Sequence, residues 1–183
     1  MVPVQVTMRK FQRAFKELVA QPVMDVLGGG QLIDVELVPG GALLDCYAGV
    51  DYWHMDSRRM FFGVAVRVQD ARKNNKPTFT VRKTLSTGGA TEYDKRMAQM
   101  HAGSALRPMW ACHAYVDMES WELVRGAVAP QDDLIRLAVP LGHEFANPKD
   151  GNTFLAVPWS KLRECGVDVR RFDNQCDLFP GLV

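Results

Sequence analysis

Apolar residues fall at helical spacing near the start of the chain, where Met8, Phe11, Phe15, Leu18 and Val19 form one stripe with Arg9, Lys10, Arg13, Lys16 and Glu17 between them. A period near 3.6 predicts an amphipathic first helix with that stripe turned inward. Pro22 suits the first turn of a short continuation, which Gly28-Gly29-Gly30 ends. The period then changes to two: Ile33, Val35 and Leu37 alternate with Asp34 and Glu36, and Pro39-Gly40-Gly41 turns the chain back. That pattern predicts a β-hairpin.

The stretch from Leu43 to Gln69 supplies two further strands, and "TFTVRKT" supplies a third after the basic loop "DARKNNKP". Together they predict a meander of neighbouring strands in one sheet. Thr91 followed three residues later by Asp94 has the form of a capping box, so a helix is expected from about Glu92 to His101. "MWACHAYV" reads as a buried strand, "PQDDLIRLAV" as a short helix, and "TFLAVPWSKLRECG" as a strand running into a terminal helix. Helices interspersed with strands in this order predict an α+β or α/β fold with one mixed sheet flanked by helices. No repeat, low-complexity tract or linker divides the chain, so residues 1–183 are expected to form a single domain.

Composition fits that expectation. With 47% hydrophobic residues over 183 positions, the chain can build one well-filled core. No run of about 18 apolar residues is present, and the first twenty residues lack the order of a secretory signal. A soluble, cytoplasmic protein with no membrane partner is the expectation. The four cysteines form no C-x-x-C pair and have no metal-ligand spacing with the four histidines, which predicts reduced, mostly buried thiols.

Charge changes the picture more. The formal net charge is only +1, yet the middle third, residues 58–107, carries eleven Lys/Arg against three Asp/Glu, a net of +8, while the parts before and after it carry −3 and −4. A concentrated basic surface attracts polyanions even on a nearly neutral chain, which makes nucleic acid the candidate partner. The bland alternative is an ordinary solvated face.

Side chains alternate across a strand, so residue parity assigns each to a face. In the strand that ends at Gln69, Phe62, Val64, Val66 and Val68 form one apolar face, and Gly63, Ala65, Arg67 and Gln69 the other. Burying the valines places Asp51, Arg67, Gln69, Thr80 and Arg82 together, provided the three strands are neighbours. One carboxylate, two guanidinium groups, an amide and a hydroxyl then share a face.

At these residues the chain resembles the PD-(D/E)XK nuclease superfamily. "GVDYW…GVAVRVQ", a further strand, a capped helix, the strand in "HAYV" and the late "FLAVPWSKL" follow that superfamily's order over roughly Met8 to Glu164. The resemblance implies a restriction-endonuclease-like core, an aspartate near the first active strand and an acid-x-lysine pair on the next. It implies a metal-dependent deoxyribonuclease that hydrolyses phosphodiester bonds with Mg²⁺. Carried over residue by residue, Asp51 takes the metal-binding position, and the acid-x-lysine pair falls on Ala65 and Arg67 or on Arg67 and Gln69. Both registers lack the second acid, and a permanently charged arginine cannot replace a carboxylate on Mg²⁺.

On the catalytic expectation, Asp51 and Glu17 hold the metal, Gln69 orients water and Arg67 neutralises phosphate. Glu36 and Glu92 are further candidates for the missing acid. Asp45 shares the parity of Asp51 but lies about 20 Å away along an extended strand. Arg58, Arg59, Arg82, Lys83, Lys95 and Arg96 are the expected nucleic-acid contacts, DNA being the expected partner. His101 and His113 are general-base candidates or, more simply, packed residues. The competing expectation is a catalytically inactive module that keeps the fold and binds DNA or a protein partner; a homodimer is compatible with either.

Overall fold

The apolar stripe of the first helix is buried from Phe15 through Val19 to Val23, while Met8 at its start is exposed. In the computed structural model, which describes residues 4–41, 48–74, 76–104 and 106–173, α1 (Val4–Ala14) passes through a π-helical turn (Phe15–Val19) into α2 (Ala20–Val26). Gly28, Gly29 and Gly30 all take positive φ and end it, as the sequence predicts. Asp45, Cys46 and Cys176 lie outside the described residues, as do Leu43 to Tyr47 of the expected first active strand.

Six strands form the larger sheet, in the order β1 (Gln31–Asp34), β2 (Tyr52–Met55), β3 (Phe61–Asp70), β5 (Pro108–Asp117), β6 (Glu122–Pro130) and β9 (Arg170–Asp173). The β3–β5 pair is parallel and the others are antiparallel, so the sheet is mixed. A second sheet holds β4 (Thr78–Thr84), β8 (Thr153–Pro158) and β7 (His143–Ala146), in that order. Among the described residues there are three more α-helices: α3 (Glu92–His101), α4 (Gln131–Leu141) and α5 (Trp159–Glu164). The fold is therefore α+β with a mixed sheet flanked by helices.

Parity explains the layers. Val64, Cys112, Ala114, Val116 and Val128 point to one side of the large sheet, where Phe15, Val19 and Val23 of the first helical run cover them. Phe15 packs on Tyr52 with ring centroids 4.5 Å apart. On the opposite side, Ala111, Tyr115, Ala127 and Ala129 meet Phe79 and Val81 of β4, Leu155 and Val157 of β8, and Leu134, Ile135 and Ala138 of α4. Both faces of β5 are thus buried, which explains its near-continuous apolar sequence.

Two sequence expectations are corrected, and three strands arise where the pattern predicts none. β4 is not a neighbour of β3: it pairs with β8 antiparallel, from Thr78↔Pro158 to Thr84↔Thr153, and faces the large sheet across the core. The place beside β3 goes to β5, whose apolar residues need cover on both faces. The expected "LIDVELV" strand stops at Asp34, because its carboxylate accepts the amide of Glu36 at 3.0 Å and folds Val35–Leu37 into a 3-10 turn. β6, β7 and β9 carry no strand expectation from the pattern; Gly126 and the alanines of β6 weaken its signal, yet Gly126 is where the Phe172 ring of β9 packs, and a side chain there would collide with it.

Tyr115 ties the two sheets. Its hydroxyl donates to the Thr78 carbonyl at 2.9 Å inside the core. Tyr115→Phe is expected to cost about 1–2 kcal/mol, since the buried carbonyl loses its donor. Chemical denaturation would measure it, and an unchanged midpoint would rule out the tie.

Candidate functional site

β2 and β3 pair up to Tyr52↔Val64 and then part. At the parting point Asp51 keeps a backbone bond to β3, its amide donating to the Val64 carbonyl at 3.0 Å, its carbonyl accepts the Val35 amide at 3.2 Å, and its carboxylate accepts the amide of Val66 at 2.6 Å. The carboxylate thus takes the place of the missing strand partner and holds the split open. A cavity of about 360 Å³ lies against this split, on the side of the sheet that carries Ala65 and Arg67.

Its walls come from separate parts of the chain. The large sheet supplies Ala65 and Arg67 from β3 and Ala111 and His113 from β5, with Ala65↔Ala111 and Arg67↔His113 in register. β4 supplies Phe79, Thr80 and Arg82, α3 supplies Glu92, Lys95 and Arg96, and Gln131 closes it from the start of α4. The paired alanines leave the depth, and the next rung provides the polar groups.

The cations are held in two ways. Arg67 donates through Nη2 to Glu92 Oε2 at 3.2 Å, and the same oxygen accepts the Arg82 backbone amide at 3.4 Å. Both guanidinium groups also lie over the Phe154 ring of β8, at 5.8 Å for Arg67 and 5.6 Å for Arg82. Glu92 sits in the first turn of α3, where a carboxylate meets the positive end of the helix. The capping box that starts this helix has formed: Thr91 Oγ1 accepts the Asp94 amide at 3.2 Å, and Asp94 Oδ2 accepts the Thr91 amide at 3.0 Å.

Arg96 has a different task. It is buried, and its guanidinium donates through Nη1 to the Ala48 carbonyl and through Nη2 to the Gly49 carbonyl at 2.7 Å. The two residues clamped lie just before Asp51. Gly49 has φ +57, and a side chain there would collide with the guanidinium, so glycine is required on both counts.

His113 lines the cavity floor, stacked on Tyr115 with centroids 5.0 Å apart. Burial first, and the nearby Arg67 charge second, push its pKa down to about 3, with the Thr78 backbone acting weakly the other way. Its ring is therefore neutral at physiological pH. This leaves the general-base role without support at neutral pH, since such a base titrates nearer the working range.

Of the sequence candidates, the structure brings Asp51, Arg67, Thr80, Arg82, Glu92, Lys95, Arg96 and His113 to one cavity. It places the others elsewhere. Gln69 is one rung beyond the cavity, with its Oε1 accepting from Asn74 Nδ2 at 3.2 Å. Glu17 is bound to Arg13 at 2.7 Å and to the Trp121 indole at 2.9 Å, away from Asp51. Arg58 and Arg59 are exposed in the β2–β3 turn, at the far end of the hairpin from Asp51. Lys83 is paired with Glu144 at 2.6 Å. Glu36 shares only a smaller cavity with Asp51, under α1, where its carboxylate accepts from Gln12 at 3.1 Å.

Comparison with protein-family models, curated proteins and solved structures finds no match.

Mg²⁺ needs several oxygen ligands and tolerates few nearby cations. Asp51 and Glu92 are the acids lining the cavity, against Arg67, Arg82, Lys95 and Arg96. No group of three His, Cys, Asp or Glu side chains able to hold a metal converges among the described residues. Glu92 is moreover engaged by Arg67 and the β4 backbone. This donor set does not fit a resident Mg²⁺; it fits an anion. Sequence reasoning missed Gln131 and Phe154, because neither has a local motif and both reach the site from elements whose packing no spacing reveals.

Proposed function

We propose that this chain is a nucleic-acid-binding protein on a PD-(D/E)XK-like core, in which cations at the cavity take a backbone phosphate and no resident metal takes part. The observation that carries the reading is the convergence of Arg67, Arg82 and Lys95 on one cavity beside the β2–β3 split. The succession of a first helix, β1–β2–β3, β4, a capped helix and β5 supports the resemblance to that superfamily, from which β4 departs by joining the second sheet. The missing second acid and the excess of positive charge favour the inactive, binding member of the pair of readings.

Fluorescence anisotropy with labelled DNA tests it. With three phosphate-facing cations, affinity should fall roughly 20- to 40-fold between 50 and 200 mM salt. Arg82→Ala should lower the salt slope by about one unit. Absent or salt-insensitive binding would sink the proposal.

A second reading, Mg²⁺-dependent hydrolysis, draws on one observation: Glu92 shares the cavity with Asp51. Supercoiled DNA incubated with Mg²⁺ or Mn²⁺ is expected to stay intact. Cutting that disappears in Asp51→Ala would establish hydrolysis in place of simple binding.

A further inference from the structure

The cavity is graded in chemistry from rim to floor. Lys95 is exposed at its edge, Arg67 and Arg82 are partly covered along its side, and His113 and Gln131 are 1% and 2% exposed. Neither polar atom of the Gln131 amide reaches a hydrogen-bond partner in the protein, and both ring nitrogens of His113 lack a well-formed one, the Thr78 backbone acting only weakly on the ring. Buried side-chain polar groups are for the most part paired, so two unpaired ones on a single cavity point to a ligand that pairs them.

The kind of group they ask for is specific. The amide offers a donor and an acceptor side by side, and a neutral imidazole offers one of each. A ligand that satisfies this floor and the cationic rim together has an anionic group at one end and a flat, uncharged edge with neighbouring donors and acceptors at the other. A nucleotide has that form, and glutamine is a known match for an adenine edge. Inorganic phosphate would use the rim alone. At about 360 Å³ the cavity is at the small end of small-molecule sites, with room for one nucleotide and far too little for a duplex.

We propose that the cavity receives one unpaired nucleotide of a nucleic-acid strand, its phosphate against Arg67 and Arg82 and its base edge against Gln131 and His113. The protein then engages single-stranded ends or extruded bases in preference to intact duplex, which would have to unstack a base first. This rests on the nucleic-acid reading above and adds the form in which the strand enters.

Anisotropy at fixed salt with four probes tests it: a short single strand, a blunt two-strand duplex of the same composition, a base-free sugar-phosphate strand of equal length, and free deoxyadenosine monophosphate as competitor. The intact single strand is expected to bind about tenfold tighter than the blunt duplex and the base-free strand. Gln131→Leu should remove most of that preference and leave the salt slope unchanged. Ala65→Phe, which fills the cavity without altering any polar group, should do the same. Melting curves establish that both variants are folded, and the comparison of intact with base-free strand needs no variant. Equal binding of all three polymers overturns the nucleotide site and leaves the nucleic-acid reading standing. Binding to none of them overturns both. Competition by the free nucleotide at concentrations matching the strand's own affinity overturns the strand and assigns the cavity to a free mononucleotide.

Discussion

Arg96→Met is expected to lower stability by about 4 kcal/mol, seen as a drop in melting temperature of about 8–16 °C. Methionine keeps the apolar stem but removes both charged donors to the Ala48 and Gly49 carbonyls. Each such bond contributes about 1.5–3 kcal/mol, and a buried carbonyl left without a donor adds its own desolvation cost. The fork of the guanidinium is what allows one side chain to serve two successive carbonyls, so Arg96→Lys should recover only part of the loss. The Gly49–Val50 segment leads directly into Asp51, so the variant should also lose nucleic-acid affinity. A melting temperature within a degree or two of the parent would refute the clamp.

The second large effect is a dependence on pH between 7 and 5. The His113 pKa is about 3 in the folded chain and about 6.5 when unfolded, so in this window the unfolded state binds a proton that the folded state does not. Stability is therefore complete above about pH 6.5 and declines as pH falls, by about 2 kcal/mol at pH 5. The carboxylates held low, Asp70 by Arg72 and Asp94 by the Thr91 cap, lose their contributions only in more acidic solution. Denaturation midpoints at successive pH values measure the slope, and His113→Phe should flatten it. A parent protein with no slope between pH 7 and 5 would show that the ring is not buried as a neutral group.

Much of the site was legible by parity alone. Alternation along β3 put Arg67 on the face opposite the valines, and the same reasoning aligned Asp51, Thr80 and Arg82 with it, even though β4 belongs to the second sheet. Phe79 and Val81 of β4 meet the core, while Thr80 and Arg82, of the opposite parity, still line the cavity beside Phe79, so the grouping survives although its stated geometry does not. Gln69 shares the face of Arg67 but lies beyond the cavity, and parity alone does not say how far along a strand a cavity extends. Glu17 and Arg96 show a different limit. Spacing identified Glu17 as a polar residue of the first helix, but its direction was decided by Trp121, 104 positions later. Arg96 belongs to the basic block, and nothing local distinguishes a charge that greets solvent from one spent on two buried carbonyls. Gln131 and His113 are legible only once the parallel register of β3 with β5 and the seating of α4 are known.

The dispersed origin of the cavity walls has a consequence for how the protein matures. Segments near residues 49–51, 65–67, 79–82, 90–96, 111–113 and 131–134 must all be in place, and the β4 wall depends on β8 from Thr153 onward. Contacts this far apart in sequence form slowly, because long loops must close before they bring any return. Recognition competence should thus be among the last properties gained on refolding, later than helical ellipticity, and a chain shortened before β8 should show secondary structure while remaining blind to its ligand.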